Sequence, residues 1–149
     1  LKIIGYSNRH DLPLQYLLIS RYPLEDRYCN IPNLTPYHKD SISDCEMAKL
    51  LSQSLMTVTP YTTARQSSVV LTSYMCGTPV LSSDIDGLRE SVHHYKTGYL
   101  VDLLAPVESW VDGVEYICEN NEALSKNCRS DFVTNYSEVN WQQYLSQIM

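Results

Sequence analysis

The sequence predicts an α/β fold, a Rossmann-like parallel sheet flanked by helices. Short apolar runs of about four to six residues alternate with amphipathic stretches of ten or so, the signature of strand-helix-strand crossover units. Gly and Pro stand at the junctions between them, at Pro60, Gly77, Pro79, Gly87 and Gly98. The chain has 149 residues, 44% apolar and 19% charged. A chain of about 100 to 200 residues encloses one hydrophobic core, so 1–149 reads as a single domain.

Leu1 to Tyr6 is an apolar run ended near Gly5, the pattern of a buried strand passing into the loop from Ser7 to Asp11. Leu12 to Tyr22 is expected as a helix, because Leu14, Leu17 and Leu18 repeat at three and four with Pro13 in the first turn. Between Pro23 and Asp40 three prolines interrupt the pattern, and only a short strand near Arg27 to Ile31 is placed. Ser43 and Glu46 form a capping box at the start of a helix from Asp44 to about Ser54, with Met47, Leu50 and Leu51 on one face. Leu55 to Thr59 is a strand stopped by Pro60. Ser67 to Cys76 is a helix closed by Gly77 in a left-handed cap. Pro79 to Ser82 is the next strand, Leu88 to about His94 a short helix, and Tyr99 to Val101 a further strand after Gly98. Helices over Val107 to Asn120, Glu122 to Asn135 and Glu138 to Met149 complete the pattern.

Eleven basic and 17 acidic side chains give a formal charge of -6. Nucleic acid and anionic membranes need a dense basic face, so neither is expected as the main partner. No apolar run approaches the roughly 20 residues that span a bilayer. The sequence starts on a strand-like run without an initiator Met or signal-peptide layout, and reads as an excised segment. Cys29, Cys45, Cys76, Cys118 and Cys128 are odd in number and lack zinc-pair spacing. They are expected to be reduced, mostly buried thiols, which suits the cytoplasm.

In open parallel sheets the ligand lies beyond the carboxyl ends of the strands, commonly at a helix N-terminus. That directs attention to the loops Ser7 to Asp11, Pro60 to Ser68, Ser83 to Gly87 and Asp102 to Val107. The second ends in Arg65, Gln66, Ser67 and Ser68 just where a helix begins. Free N–H groups and the positive end of the helix dipole bind an anion there, with hydroxyls, an amide and a guanidinium as added donors. The same composition also suits a plain N-cap.

The string from Ala64 to Ser83, with Cys76, Gly77, Thr78, Pro79 and Val80 in succession, is followed by Gly87, Glu90 and Val92, then by Gly98, Leu100 and Val101. In order and spacing it resembles the donor-binding carboxyl-terminal half of GT-B glycosyltransferases, specifically the group-1 (family 4) retaining enzymes. The stretch Asn135 to Tyr144, with Trp141, is similar to their terminal helix, so the resemblance runs from about Asp44 to Met149. It implies a sugar-nucleotide donor whose diphosphate rests on Arg65, Gln66, Ser67 and Ser68, and a sugar transferred with retention of configuration to a glycan or lipid-linked acceptor. It implies that Thr72 lies near the ribose and Ala64 and Glu90 near the donor sugar, while Tyr6 and Tyr61 are the tyrosines nearest that loop and the candidates to stack on the base. No cofactor or metal is implied, since the helix dipole meets the leaving charge. The acceptor domain, which in this family precedes the donor half, is absent, and the segment alone is expected not to turn over. Polysaccharide or lipopolysaccharide assembly is a common setting of the family, which implies a cytoplasmic place for the chain, with the full-length protein at the inner membrane face.

The sequence departs from the family at two glutamates eight apart, whose positions hold Ala64 and Thr72. Neither accepts two hydrogen bonds as a carboxylate does, although some family members with a Gln-Ser pair in this loop also lack the first glutamate. Two other readings stay open: a catalytically degenerate Rossmann-like assembly module, motivated by those losses, and a GT-B sugar-nucleotide epimerase.

Outside the loop, Asp84 and Asp86 read as caps of the following helix, and Glu90 either faces the donor or sits in that helix's first turn. His10 follows the first strand, while His38 reads as loop surface and His93 and His94 point different ways on a helix. Most of the twelve tyrosines, with Trp110 and Trp141, are expected as packing residues.

Overall fold

The computed structural model describes residues 14–20 and 22–137. The expected strand at Leu1 to Tyr6, the loop with His10, the helix from Glu138 and Trp141 therefore lie outside the described residues.

Among the described residues, five strands form two parallel sheets. β1 (Tyr16–Ser20) pairs with β2 (Leu34–His38), Tyr16 opposite Leu34 and Ser20 opposite His38. β3 (Thr57–Thr59), β4 (Val80–Ser83) and β5 (Gly98–Val101) form a second sheet in that order. Thr59 lies opposite Ser82, and Ser83 opposite Val101, so the carboxyl ends of these three strands finish level. α2 (Asp44–Ser52) leads from β2 into β3, and the crossovers within the second sheet are α3 (Ser68–Met75) between β3 and β4 and α4 (Asp86–Arg89) between β4 and β5. A one-turn α1 (Asp26–Cys29) links β1 to β2, and α5 (Val107–Asn135) follows β5.

Strand alternation divides the core into two layers. Val80 packs with Val70 and Tyr74 of α3, with Leu88, Val92 and with Cys128 of α5. Leu81 and Val101 point the other way, onto Val114, Ile117 and Leu124 of α5. Each of these side chains is at most 2% exposed, and removing this much apolar surface from water is what holds helices to sheet. Close approach on the second face depends on Gly113, where a Cβ would stand 2.5 Å from Leu81 Cδ1.

The α/β class with a parallel sheet flanked by helices is the observed one. α2 starts as expected, with the Ser43 hydroxyl accepting from the Glu46 N–H at 3.2 Å. The Glu46 carboxylate does not close the capping box: it accepts from the Tyr37 hydroxyl and from Lys39 Nζ, tying β2 to α2. Gly77 has φ 73°, the left-handed cap that an L side chain resists.

Three expectations fail. The stretch read as a helix from Leu12 contains β1, because a continuous apolar run from Tyr16 to Ile19 satisfies either period and its pairing with β2 decides. Arg27 falls in the single turn of α1 rather than in a strand, and the strand lies later, at β2, hidden from the pattern by Pro36. The two helices expected on either side of Asn120 and Asn121 are one 29-residue helix. Asn120 Nδ2 donates to the Tyr116 carbonyl at 2.9 Å and Asn121 Nδ2 to Leu55 O at 2.8 Å, so both amides are used without breaking it.

Candidate functional site

The level strand ends bring the loops after β3, β4 and β5 to one edge of the sheet. The first of them begins at Thr59, buried and donating through Oγ1 to Ser82 Oγ at 2.9 Å. Pro60 ends the ladder and Tyr61 N–H turns back to the Thr59 carbonyl at 2.9 Å. Ala64 then sets its methyl against the α3-side core, so the loop is anchored before it reaches the helix. Arg65, Gln66 and Ser68 are exposed and Ser67 is half-buried.

Ser67 holds the N-cap position of α3 with extended backbone, φ -134° and ψ 109°, yet its side chain makes no capping hydrogen bond. Its carbonyl accepts from Val70 N–H at 3.1 Å. No acidic residue lies in the first turn of α3. Among the described residues, the amides that helix geometry leaves without an intrahelical acceptor are thus met by neither a side-chain cap nor a carboxylate. The ordinary N-cap arrangement that this composition also allowed is not the one adopted.

Thr72 stands one turn into α3, half-buried, with Oγ1 donating to the Ser68 carbonyl at 2.9 Å. Its hydroxyl hydrogen is committed to its own helix and its oxygen keeps acceptor capacity. Beside it, Ser73 donates to Val69 O at 2.8 Å and lies 2.8 Å from Thr57 Oγ1, holding α3 against β3. Tyr61 is 37% exposed at the mouth of the same loop. Tyr6 lies outside the described residues.

The junction after β4 is built from opposite materials. Ile85, not Asp84 or Asp86, occupies the N-cap position of α4, and no side chain caps it. Both acids turn instead to Arg89: Nε donates to Asp84 Oδ1 at 2.6 Å and Nη1 to Asp86 Oδ1 at 3.3 Å. The carboxylate of Asp84, foremost, raises the pKa of that guanidinium still further. Reading the two acids as caps therefore fails, because a cation three residues beyond Asp86 offers a stronger partner than backbone amides. Glu90 is exposed and forms the C-cap, with its N–H on the Leu88 carbonyl, rather than sitting in a first turn. The helix begins two residues earlier than expected, which moves Glu90 to its other end.

His93 and His94 follow α4 instead of lying within it. His93 Nε2 is 3.7 Å from Asp131 Oδ1, and His94 Nδ1 accepts the Leu100 N–H at 2.9 Å. Burial pushes the pKa of His94 down, against the pull of Asp84. Both histidines line a cavity of ≈ 740 Å³ with Asp84, Arg89, Lys96 and Asp131, and no residue from Ala64 to Thr72 contributes to its wall. His38 is exposed at the end of β2, with Nδ1 3.3 Å from the Ser20 carbonyl. Trp110 packs against the α5-side core as expected. The cysteines are all free, but only Cys128 is buried; Cys29 and Cys45 are exposed, since α1 and the start of α2 place them outward. Arg89 is the charged residue of this edge that sequence reasoning overlooked, and its i, i+3 spacing from Asp86 was the available signal.

Comparison with known proteins bears on this edge. The family model described as "Glycosyl transferases group 1" matches residues 37–131, more than half of the chain. No curated protein matches in sequence. Among solved structures, TarM superposes with a TM-score of 0.77 at 13% identity over 97% of this chain and 30% of its own. A glycosyltransferase from Rickettsia africae gives 0.74 at 14%, over 98% of this chain and 42% of its own. The pneumococcal O-GlcNAc transferase GtfA, in complex with UDP and GlcNAc, gives 0.71 at 13%, over 98% and 31%. The chain thus spans less than half the length of each of these three proteins. At these identities the likeness shows a shared GT-B fold. Among the described residues no helix is long and apolar enough to cross a membrane.

Proposed function

The chain belongs to the group 1 glycosyl transferases, and we propose that it is the donor-binding part of a retaining, family-4-like enzyme that takes a sugar from a nucleoside diphosphate sugar. The observation that carries the reading is the uncapped, acid-free start of α3 at the carboxyl end of a parallel strand, inside the span that the family model matches. In this reading the diphosphate sits on the first amides of α3, with Gln66, Ser67 and Ser68 as added donors and Arg65 as counter-charge. Tyr61 and Thr72 lie toward base and ribose, and Ala64 and Glu90 toward the donor sugar. That GtfA was crystallised with UDP and GlcNAc supports a uridine nucleotide as the first donor to try.

Mechanistically, charge develops on the leaving diphosphate as the bond from the anomeric carbon breaks. Amides already oriented toward that charge stabilise it without reorganising, an effect worth several kcal/mol where water is excluded. The arrangement does this with backbone dipoles and Arg65, so the proposal includes no metal. Water exclusion and the acceptor, a glycan or lipid-linked molecule, fall to an amino-terminal domain of the full-length protein, whose place is the cytoplasm or the inner membrane face.

Titration calorimetry of the full-length protein with UDP, GDP and ADP tests this: one of them is expected to bind with unit stoichiometry. Binding of none by folded protein points to the assembly module instead. Incubating a sugar nucleotide that binds, without acceptor, separates the epimerase, since a change of configuration in the sugar would displace the transferase.

A further inference from the structure

Gly87 is the second residue of α4, in a helix that belongs to the next crossover unit, yet the atoms crowding it come from the α3 loop. A Cβ built there would overlap the carbonyl oxygens of both Ala64 and Arg65 and would stand 2.5 Å from the Arg65 carbonyl carbon. Real Cβ atoms essentially never come within 3.0 Å of such neighbours. The contact is with backbone, which cannot swing aside as a side chain end would. The backbone of Gly87 is not in the left-handed region, so close approach alone requires glycine here.

The loop is therefore held from two sides. The Ala64 methyl is packed into the cluster containing Leu88, one residue beyond Gly87, while the carbonyls of Ala64 and Arg65 rest against Gly87 itself. Ser68, where α3 begins, is three residues past Arg65. We propose that Gly87 is a positioning residue for donor binding: by admitting the Ala64 and Arg65 carbonyls against α4, it fixes where the first amides of α3 stand. The inference rests on the donor-site reading above for its ligand, but not for the contact. Displacement of reacting groups by about 1 Å can cost on the order of a hundredfold, so a forced shift of this loop has a measurable consequence.

The same sheet supplies the control. A Cβ on Gly98 would overlap the Val80 carbonyl, also backbone, but at the opposite ends of β4 and β5 from the loop. Gly87→Ala and Gly98→Ala in the full-length protein are both expected to lower the melting temperature. At a temperature where each is folded, Gly87→Ala is expected to weaken UDP binding by about ten- to a hundredfold and Gly98→Ala to leave it within about twofold. Tryptic cleavage after the exposed Arg65 provides a ligand-free readout, expected to accelerate in Gly87→Ala alone. Should Gly87→Ala not fold, Gly87→Ala combined with Ala64→Gly frees the loop from the core, and weak binding with fast cleavage is expected there too. Parent-like binding and cleavage in the folded Gly87→Ala protein, or in the double variant where that replaces it, overturns the proposal, as does equal weakening by Gly98→Ala. If the parent binds none of the three diphosphates, the donor-site reading fails and the positioning role for a donor fails with it. Accelerated cleavage would then retain only the clamp on the loop.

Discussion

Two strand-to-helix junctions lie at the same edge of one sheet, and they treat charge in opposite ways. The start of α3 has no acid in its first turn, no side-chain cap and three exposed residues able to donate hydrogen bonds, Arg65, Gln66 and Ser68. The start of α4 carries Asp84 and Asp86, and its nearby cation, Arg89, is already paired with both. A helix start attracts anions only while its positive end is unanswered. A helix of four residues also sums few peptide dipoles, so α4 is the weaker attractor before its acids are counted. Position at a strand's carboxyl end therefore nominates both junctions, and the proposed donor site rests on the chemistry of the first turn to choose between them.

The largest expected effect concerns what the junctions share. Leu88 of α4 is fully buried in the cluster that also receives Val70 of α3 and the methyl of Ala64. Leu88→Ala is expected to cost about 2–5 kcal/mol, read by urea denaturation. A loss below about 1 kcal/mol would mean that the two junctions do not depend on one core. Next in size, Ser67→Asp places a carboxylate at the α3 start and makes it resemble its neighbour. UDP affinity is expected to fall about tenfold or more while thermal stability rises slightly, because the same charge that repels diphosphate complements the dipole. Asp86→Ser, at the other junction, is expected to leave UDP affinity within about twofold. Unchanged affinity in Ser67→Asp, or the larger effect in Asp86→Ser, would reverse the comparison.

Smaller again is Thr72→Glu, which puts a carboxylate one turn into α3 where two ribose hydroxyls can be accepted together. Calorimetry is expected to show UDP binding tightened about three- to tenfold; weaker binding would place the ribose elsewhere. The smallest effect is one of pH. Burial lowers the pKa of His94 below its ordinary value of 6.5, and neutral Nδ1 accepts from Leu100 N–H. Between the two values the unfolded chain binds more protons, so this contribution is complete above about pH 6.5 and is lost as pH falls through the lower folded value. His94→Gln is expected to flatten the decline of melting temperature between about pH 7 and 5; an unaltered slope would show that His94 does not contribute to it.

Much of the second sheet was legible in the sequence because its signals are local. Ser43 caps α2, Gly77 takes the left-handed conformation, and short apolar runs became β3, β4 and β5. The first sheet was not, because Tyr16 to Ile19 is apolar without a break and Pro36 masks β2; only their pairing settles either. The site divides in the same way. Which loop follows which strand can be read from order, and Ser67 and Ser68 do fall at the N-cap and first residue of α3, with Arg65 and Gln66 just before them. What could not be read is competition among partners: Asp84 and Asp86 choosing Arg89 over backbone, Glu46 choosing Tyr37 and Lys39, and Ser67 capping nothing. Those choices depend on side chains brought together by the fold, as does the crowding of Gly87 by a loop more than twenty positions away.

The central claim is that a nucleotide diphosphate is received by the opening amides of α3 and not by those of α4. Backbone amide spectra of isotopically labelled protein, recorded while UDP is added, test it most directly. The account predicts that the resonances of Gln66 to Val70 move furthest and saturate with the calorimetric affinity, while those of Asp86 to Arg89 move little. Saturable shifts centred on Asp86 to Arg89, with Gln66 to Val70 unmoved, would contradict it.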